Sequence, residues 1–282
     1  MAATVLAIFT ILFAAIPSGR IDDVYRRVSS PKQSSLIIGT SRAAQAINPE
    51  IINAKLKTYG RAPLYNFAFH LDASSYNAVY EKAIFSKLTE RPAQRGIFLL
   101  AVDPWALRAL EDTPQELNLK SYSQKPNLEY LIKNFSRSWF SPFPTHSFVN
   151  SYGRTEVDYA PRTKEEWEKR VEMRLAAYRD MAANYKYSTA AQAVLERTID
   201  KLKMRGDVFM VRIPTSVPML KLENSVCPTF NRKMKAIASN HDINYLDFSC
   251  HNYLTTDGNH LTKHEGDRLS VVLSDSISHH LR

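Results

Sequence analysis

Two short segments of this chain combine the residue types that acyl-transfer chemistry uses. Gly39-Thr40-Ser41-Arg42 offers a hydroxyl beside a glycine and a cation. Asp257-Gly258-Asn259-His260 offers an imidazole with a carboxylate three residues before it. A serine hydroxyl becomes nucleophilic when a base lies within hydrogen-bond reach, and the base works when a third group orients its ring. Ser41, Asp257 and His260 supply those three roles in chain order. Each segment also has a plainer reading. Thr40 or Ser41 can be a helix N-cap, and Asp-Gly can be a turn before a solvated histidine. His251, His264, His279 and His280 read as bystanders.

The elements around these segments decide whether they can meet. Five apolar runs rich in β-branched and aromatic residues stand out: Ser35–Gly39, Leu64–Phe69, Gly96–Val102, Asp207–Ile213 and Ile243–Phe248. They are continuous rather than alternating, as strands covered on both faces are. Helical patterns fall between and after them, at Ala43–Leu56, Ser74–Thr89, Ala190–Arg205, Cys227–Asn240 and Lys263–Ser278. Strand and helix alternate, which predicts an α/β fold with a parallel sheet and helices on both faces. Right-handed crossovers bring the C-terminal ends of the strands to one edge, where such sheets bind ligands. The serine segment follows the first run and the histidine segment follows the last, so both are expected at that edge.

The alternation breaks between about 111 and 187. This insertion carries Trp139, Phe140, Phe143, Phe148, Tyr152, Tyr159 and Trp167 among many basic residues. Asn127–Arg137 and Lys164–Ala183 read as helices with a turn-rich piece around Ser151-Tyr152-Gly153. Insertions of this length are lids or binding surfaces, or else packed subdomains, and both readings stay open.

The first residues differ from the rest. Met1–Ile16 contains no charged side chain, and as a helix it would span about 24 Å, short of a ~30 Å hydrocarbon core. It reads as an export signal or membrane anchor over 1–20, with 21–34 as a linker; a buried core helix is the plainer alternative. Arg26, Arg27 and Lys32 would then touch anionic headgroups or polymer, or stand in a solvated stalk. The remaining 35–282 form one domain. The 282 residues carry 37 Lys and Arg against 28 Asp and Glu, a formal charge of +9 that favours anionic partners. Nucleic acid is a poor fit, since no recognition motif or dense basic run is present. Two cysteines are too few for a disulfide framework. The helix and strand between Cys227 and Cys250 return the chain to the same level, so the pair is either a disulfide or two separate thiols.

In this ordered set the chain resembles the SGNH (GDSL-like) hydrolase superfamily. The combination of IIGTSR, YNFAF, VDP and DGNHLTKHEG looks most like its membrane-anchored branch acting on cell-envelope polymers. That branch includes the proteins of lipoteichoic acid D-alanylation and alginate O-acetylation. The resemblance implies a flavodoxin-like three-layer α/β/α sandwich, with Ser41 as nucleophile, His260 as base and Asp257 orienting its ring. No metal or organic cofactor is required by that chemistry. The implied activity is that of an exported, membrane-anchored serine esterase or O-acyltransferase. It would act on acyl esters of an envelope polysaccharide or glycopolymer on the periplasmic or extracellular side, with a membrane acyltransferase as a partner.

The chain departs from the family pattern at the oxyanion hole. Its first block is GTS rather than GDS, no glycine stands near Asn66-Phe67-Ala68-Phe69-His70, and Asp103 occupies the place of the third-strand asparagine. Asn66 is the substitute donor expected here, with Arg42 supplying positive charge or neutralising Asp103. The plainer role for Asp103 is an N-cap ahead of Pro104. If no donor replaces the missing ones, the implied protein is a catalytically weak binding or assembly factor for envelope polymer.

Overall fold

The computed structural model describes residues 2–110, 125–134 and 147–281. In chain order the elements begin α1 (Ala2–Ala15), α2 (Asp23–Ser29), β1 (Ser35–Ile38), α3 (Ser41–Ala46) and α4 (Pro49–Leu56). Next come β2 (Leu64–Asn66), α5 (Leu71–Ser74), α6 (Ala78–Lys87) and β3 (Gly96–Ala101). The insertion contributes α7 (Leu128–Asn134), the hairpin β4 (Ser147–Val149) and β5 (Thr155–Val157), and α8 (Lys164–Ala183). The chain closes with α9 (Thr189–Lys203), β6 (Gly206–Arg212), α10 (Val217–Val226), α11 (Phe230–Asn240), β7 (Asn244–Asp247) and α12 (Lys263–His280).

β2-β1-β3-β6-β7 form one sheet in that spatial order, with every pairing parallel. This is the doubly wound order of flavodoxin-like proteins. All residues of β1 and β3 are buried, as expected of strands covered on both faces. Their side chains alternate between two cores. Leu36, Ile38, Phe98, Leu100, Val208 and Met210 join α6, α9 and α11 on one face. Ile37, Ile97, Leu99, Phe209 and Val211 join α3, α4 and α12 on the other. A one-residue slip of any central strand would exchange its two faces.

The strand order reverses between β1 and β3, which opens a crevice at their C-terminal ends. The expected helix over Ala43–Leu56 is broken there. Ile47 and Asn48 leave the helix, and the Asn48 side chain caps α4 by accepting from the Glu50 amide at 3.0 Å, with Pro49 in the first turn.

Two regions differ from the sequence reading. Within the stretch read as a linker, α2 is a helix with Tyr25 and Arg27 buried. Arg27 is therefore not part of a solvated stalk: its Nε donates to the Gly153 carbonyl at 2.9 Å and its guanidinium also reaches Thr155. The cysteines are unpaired. Cys227 is buried in the core shared by α11, whereas the neighbours of Cys250, Phe248 and Tyr253, pack on the opposite face of the sheet. The two thiols lie on opposite sides of the sheet, which selects the reading of two separate thiols.

The segment α1 is 14 residues long, and no helix among the described residues is long and apolar enough to cross a membrane. Leu12 and Ile16 pack with Tyr25, Tyr130 and Leu131, while Ile8 and Ile11 are exposed. Trp139, Phe140 and Phe143 lie outside the described residues.

Candidate active site

Ser41 is the first residue of α3, directly past the end of β1. Gly39 makes this turn possible. Its φ is 147°, and a Cβ there would stand 2.6 Å from the Ala101 side chain on β3. Thr40 occupies the N-cap position but does not cap; its hydroxyl donates to Asp103 at 3.2 Å instead. Ser41 is left partly exposed at the crevice.

His260 and Asp257 come from the loop between β7 and α12. Asp257 organises that loop before it does anything else. Its Oδ1 accepts from the backbone amides of Asn259 and His260 at 3.0 and 2.9 Å. The same carboxylate lies 3.0 Å from His260 Nδ1 through Oδ2. An ionised carboxylate only accepts, so Nδ1 carries the hydrogen and Nε2 offers a lone pair. Ser41 Oγ lies 2.9 Å from that Nε2. The structure thus brings Ser41 to the Asp257–His260 pair, from which the sequence separates it by more than two hundred positions.

Burial would raise the Asp257 carboxyl, but the hydrogen bond from the His260 ring, the charge of Arg174 and the His260 amide together hold it well below the usual carboxylate range. Arg174 is on α8, in the insertion. It donates through Nε at 2.9 Å and pairs through Nη2 at 2.7 Å, both to Asp257 Oδ2. The insertion therefore supplies a direct partner to the histidine's orienting group.

Ser41, Asp257 and His260 line a cleft of about 380 Å³, whose other wall includes Thr155 and Tyr159 of the insertion together with Phe69. Arg170 stacks over the Tyr159 ring with its guanidinium carbon 3.6 Å from the centroid. A second groove of about 560 Å³ shares Arg170, Arg174 and Asp257 with the first. Described parts of the insertion are thus walls of the cleft. They are fixed to the scaffold by Arg27 and by the buried Arg154, which donates to Asp267 on α12 at 2.6 Å and to the Gln45 carbonyl at 3.0 Å.

The remaining expected site residues are placed differently. Asn66 is fully buried and both hydrogens of its amide are committed, to the carbonyls of Ala43 at 2.9 Å and Ile47 at 3.1 Å. It ties β2 to the end of α3 and has no donor left for an oxyanion, which corrects its assignment. Asp103 caps the turn after β3 by accepting from the Ala106 amide at 2.9 Å. Burial raises its carboxyl above the ordinary value, opposed by the charge of Arg42. Arg42 is 3% exposed and turned away from the cleft. It pairs with Glu223 of α10 at 2.5 Å and forks onto Asn259 Oδ1. Burial would lower its pKa, but the charges of Glu223 and Asp103 outweigh this and raise it.

Glu223, Arg174 and Asn259 were not singled out from the sequence. Asn259 sits inside the recognised Asp-Gly-Asn-His segment, but its partner Arg42 lies in the other segment, 217 positions away. Glu223 and Arg174 carry no local pattern, because their partners come from distant elements.

No family model matches this chain, and no curated protein matches it. Among solved structures it overlaps with Est24, a carbohydrate acetylesterase from Sinorhizobium meliloti, at 10% identity and a TM-score of 0.44, covering 88% of this chain and 99% of that one. It overlaps with the native aryl esterase of M. smegmatis at 11% identity and a TM-score of 0.43, covering 89% and 99%. Overlaps this low carry nothing about chemistry, which rests on the site's own geometry.

Proposed function

We propose that this protein is a serine-dependent ester hydrolase or O-acyltransferase of the SGNH type. The observation that carries the reading is the relay Ser41 Oγ, His260 Nε2 at 2.9 Å, and His260 Nδ1 to Asp257 at 3.0 Å, opening on a cleft. Ser41 attacks the acyl carbonyl carbon and its proton passes to His260 Nε2. Asp257 stays ionised and stabilises the imidazolium. The Ser41 amide, in the first turn of α3 and free of an intrahelical acceptor, faces the developing oxyanion. The proton on Nε2 then passes to the departing oxygen, leaving an acyl-enzyme on Ser41. Water resolves it in hydrolysis; a sugar hydroxyl resolves it in transfer.

The substrate class proposed is an acyl ester of a cell-envelope polysaccharide or related glycopolymer, with a membrane acyltransferase as partner. The aromatic and basic cleft wall, with Tyr159, Arg170 and Arg174, is the feature in favour of a polar sugar substrate. Hydrolysis of an aryl acetate and of acetylated polymer by wild type and Ser41→Ala tests the reading. Loss of turnover in the variant is expected; equal turnover removes Ser41 from the mechanism.

A binding or assembly role is the second reading. It is favoured by the internal commitment of Asn66 and Asp103, since a missing oxyanion donor costs ~10²–10³ in rate. Polymer binding without hydrolysis would select it. A membrane location, with the domain on the periplasmic or extracellular side, is supported by the uncharged Met1–Ile16 and by the exposed Ile8 and Ile11. Co-flotation of the full chain with vesicles, lost on deletion of residues 2–15, is the expected result. A full chain that stays in the soluble fraction contradicts it.

A further inference from the structure

We infer that Asn259 is a further catalytic group, whose side-chain amide donates to the substrate's carbonyl oxygen as negative charge develops there. The inference rests on the hydrolase reading above. Asn259 Oδ1 accepts from Arg42 Nε at 2.9 Å and from Nη2 at 2.6 Å. A guanidinium only donates, so this fork fixes which end of the amide is oxygen, and Nδ2 must face the other way. There it stands 3.2 Å from His260 Nε2, the nitrogen that Ser41 Oγ approaches at 2.9 Å. The donor therefore stands beside the base, one residue along the loop from a ring that lines the cleft.

The fork is itself held rigid. Arg42 pairs with Glu223 at 2.5 Å, and Glu223 also takes Arg212 Nη2 at 2.9 Å and Trp105 Nε1 at 3.1 Å. All five side chains of this chain of contacts, Asn259 included, are buried. A donor fixed in this way pays no reorganisation when charge appears. Arg42 is its positioning residue.

Proton bookkeeping sets the timing. In the resting site the Nε2 lone pair faces two donors, the Ser41 hydroxyl and the Asn259 amide. On attack the Oγ–C bond forms, the hydroxyl proton moves to Nε2, and the carbonyl π pair moves onto oxygen. Nε2 then bears a hydrogen and accepts nothing. The amide loses its acceptor in the same step that creates an oxyanion on the carbon bonded to Oγ. When the bond to the departing oxygen breaks, the Nε2 proton leaves with it and the amide regains its first partner. A bond strengthened only in the transition state raises kcat rather than lowering KM.

The test measures p-nitrophenyl acetate turnover by the full chain, with thermal unfolding and serine-directed phosphonate labelling in parallel. Asn259→Asp keeps an oxygen for Arg42 and nearly the same shape but removes the N–H. It is expected to lower kcat by ~10²–10³ with KM and unfolding temperature nearly unchanged. Arg42→Lys keeps the charge beside Glu223 but loses the fork, so kcat falls by a smaller factor, again without a change in KM. If Asn259→Asp fails to fold, Asn259→Ser, too short to reach Nε2, carries the same expectation. Wild-type kcat in the folded variant, or a loss confined to KM, overturns the inference alone. A wild type that neither hydrolyses nor labels overturns the hydrolase reading and this inference together.

Discussion

At the residue scale, Asp257 joins two tasks in one carboxylate. It closes the backbone of its own loop and it faces the ring nitrogen of His260. Asp257→Asn keeps the size but offers an amide where Nδ1–H needs an acceptor. A drop in kcat of about 10⁴ is expected from the wrong tautomer, read by single-turnover kinetics. Glu223 is 1% exposed between Arg42 and Arg212, so Glu223→Ala removes the carboxylate that two buried cations share. A loss of ~3–5 kcal/mol in denaturant unfolding is expected, which separates it from a surface ion pair. Lys87 gives a pH signature. Burial lowers it to about 7, and it donates to the Ser30 hydroxyl and to the carbonyls of Ser30 and Val28 at the end of α2. Its unfolded value is near 10.4, so between these limits the unfolded chain binds more protons. Unfolding free energy should therefore rise as pH climbs from about 7 to about 10, and Lys87→Met should flatten that rise.

At the scale of elements, α3 and α12 carry or adjoin the two halves of the site and touch through Gly266. A Cβ at Gly266 would lie 2.7 Å from the Ala46 carbonyl, so Gly266→Ala must part the helices. A cost of ~1–3 kcal/mol is expected, with reduced turnover as Ser41 and His260 separate; unfolding and activity measured together check this. The sheet was legible because its runs are apolar on both faces, and the Ser41 and Asp257–His260 loops followed from strand order alone. α10 was not legible. It lies in the unassigned stretch after β6, and what makes it matter is Glu223, whose partner Arg42 is distant in sequence. The hairpin of β4 and β5 was read only as a turn, since three-residue strands leave little alternation to detect. Asn66 misled for a related reason: its position at the end of β2 suited an oxyanion donor, but only packing reveals that the carbonyls of Ala43 and Ile47 already hold its amide.

At the scale of the whole molecule, the insertion turns a doubly wound sheet into a walled cleft. Arg27 and Arg154 fix the hairpin region to the scaffold, and Arg174 reaches Asp257 itself. The excess of basic residues noted in the composition thus includes structural cations, buried or committed to acidic partners, as well as surface charge. The proposed chemistry requires Ser41 to be a nucleophile activated by His260 within this cleft. The most direct measurement is intact-mass analysis after treatment with a serine-directed phosphonate, followed by mapping of the modified peptide. One adduct is expected, on Ser41, absent from Ser41→Ala and suppressed in His260→Ala. An unmodified wild type, or equal modification of wild type and Ser41→Ala, would contradict it.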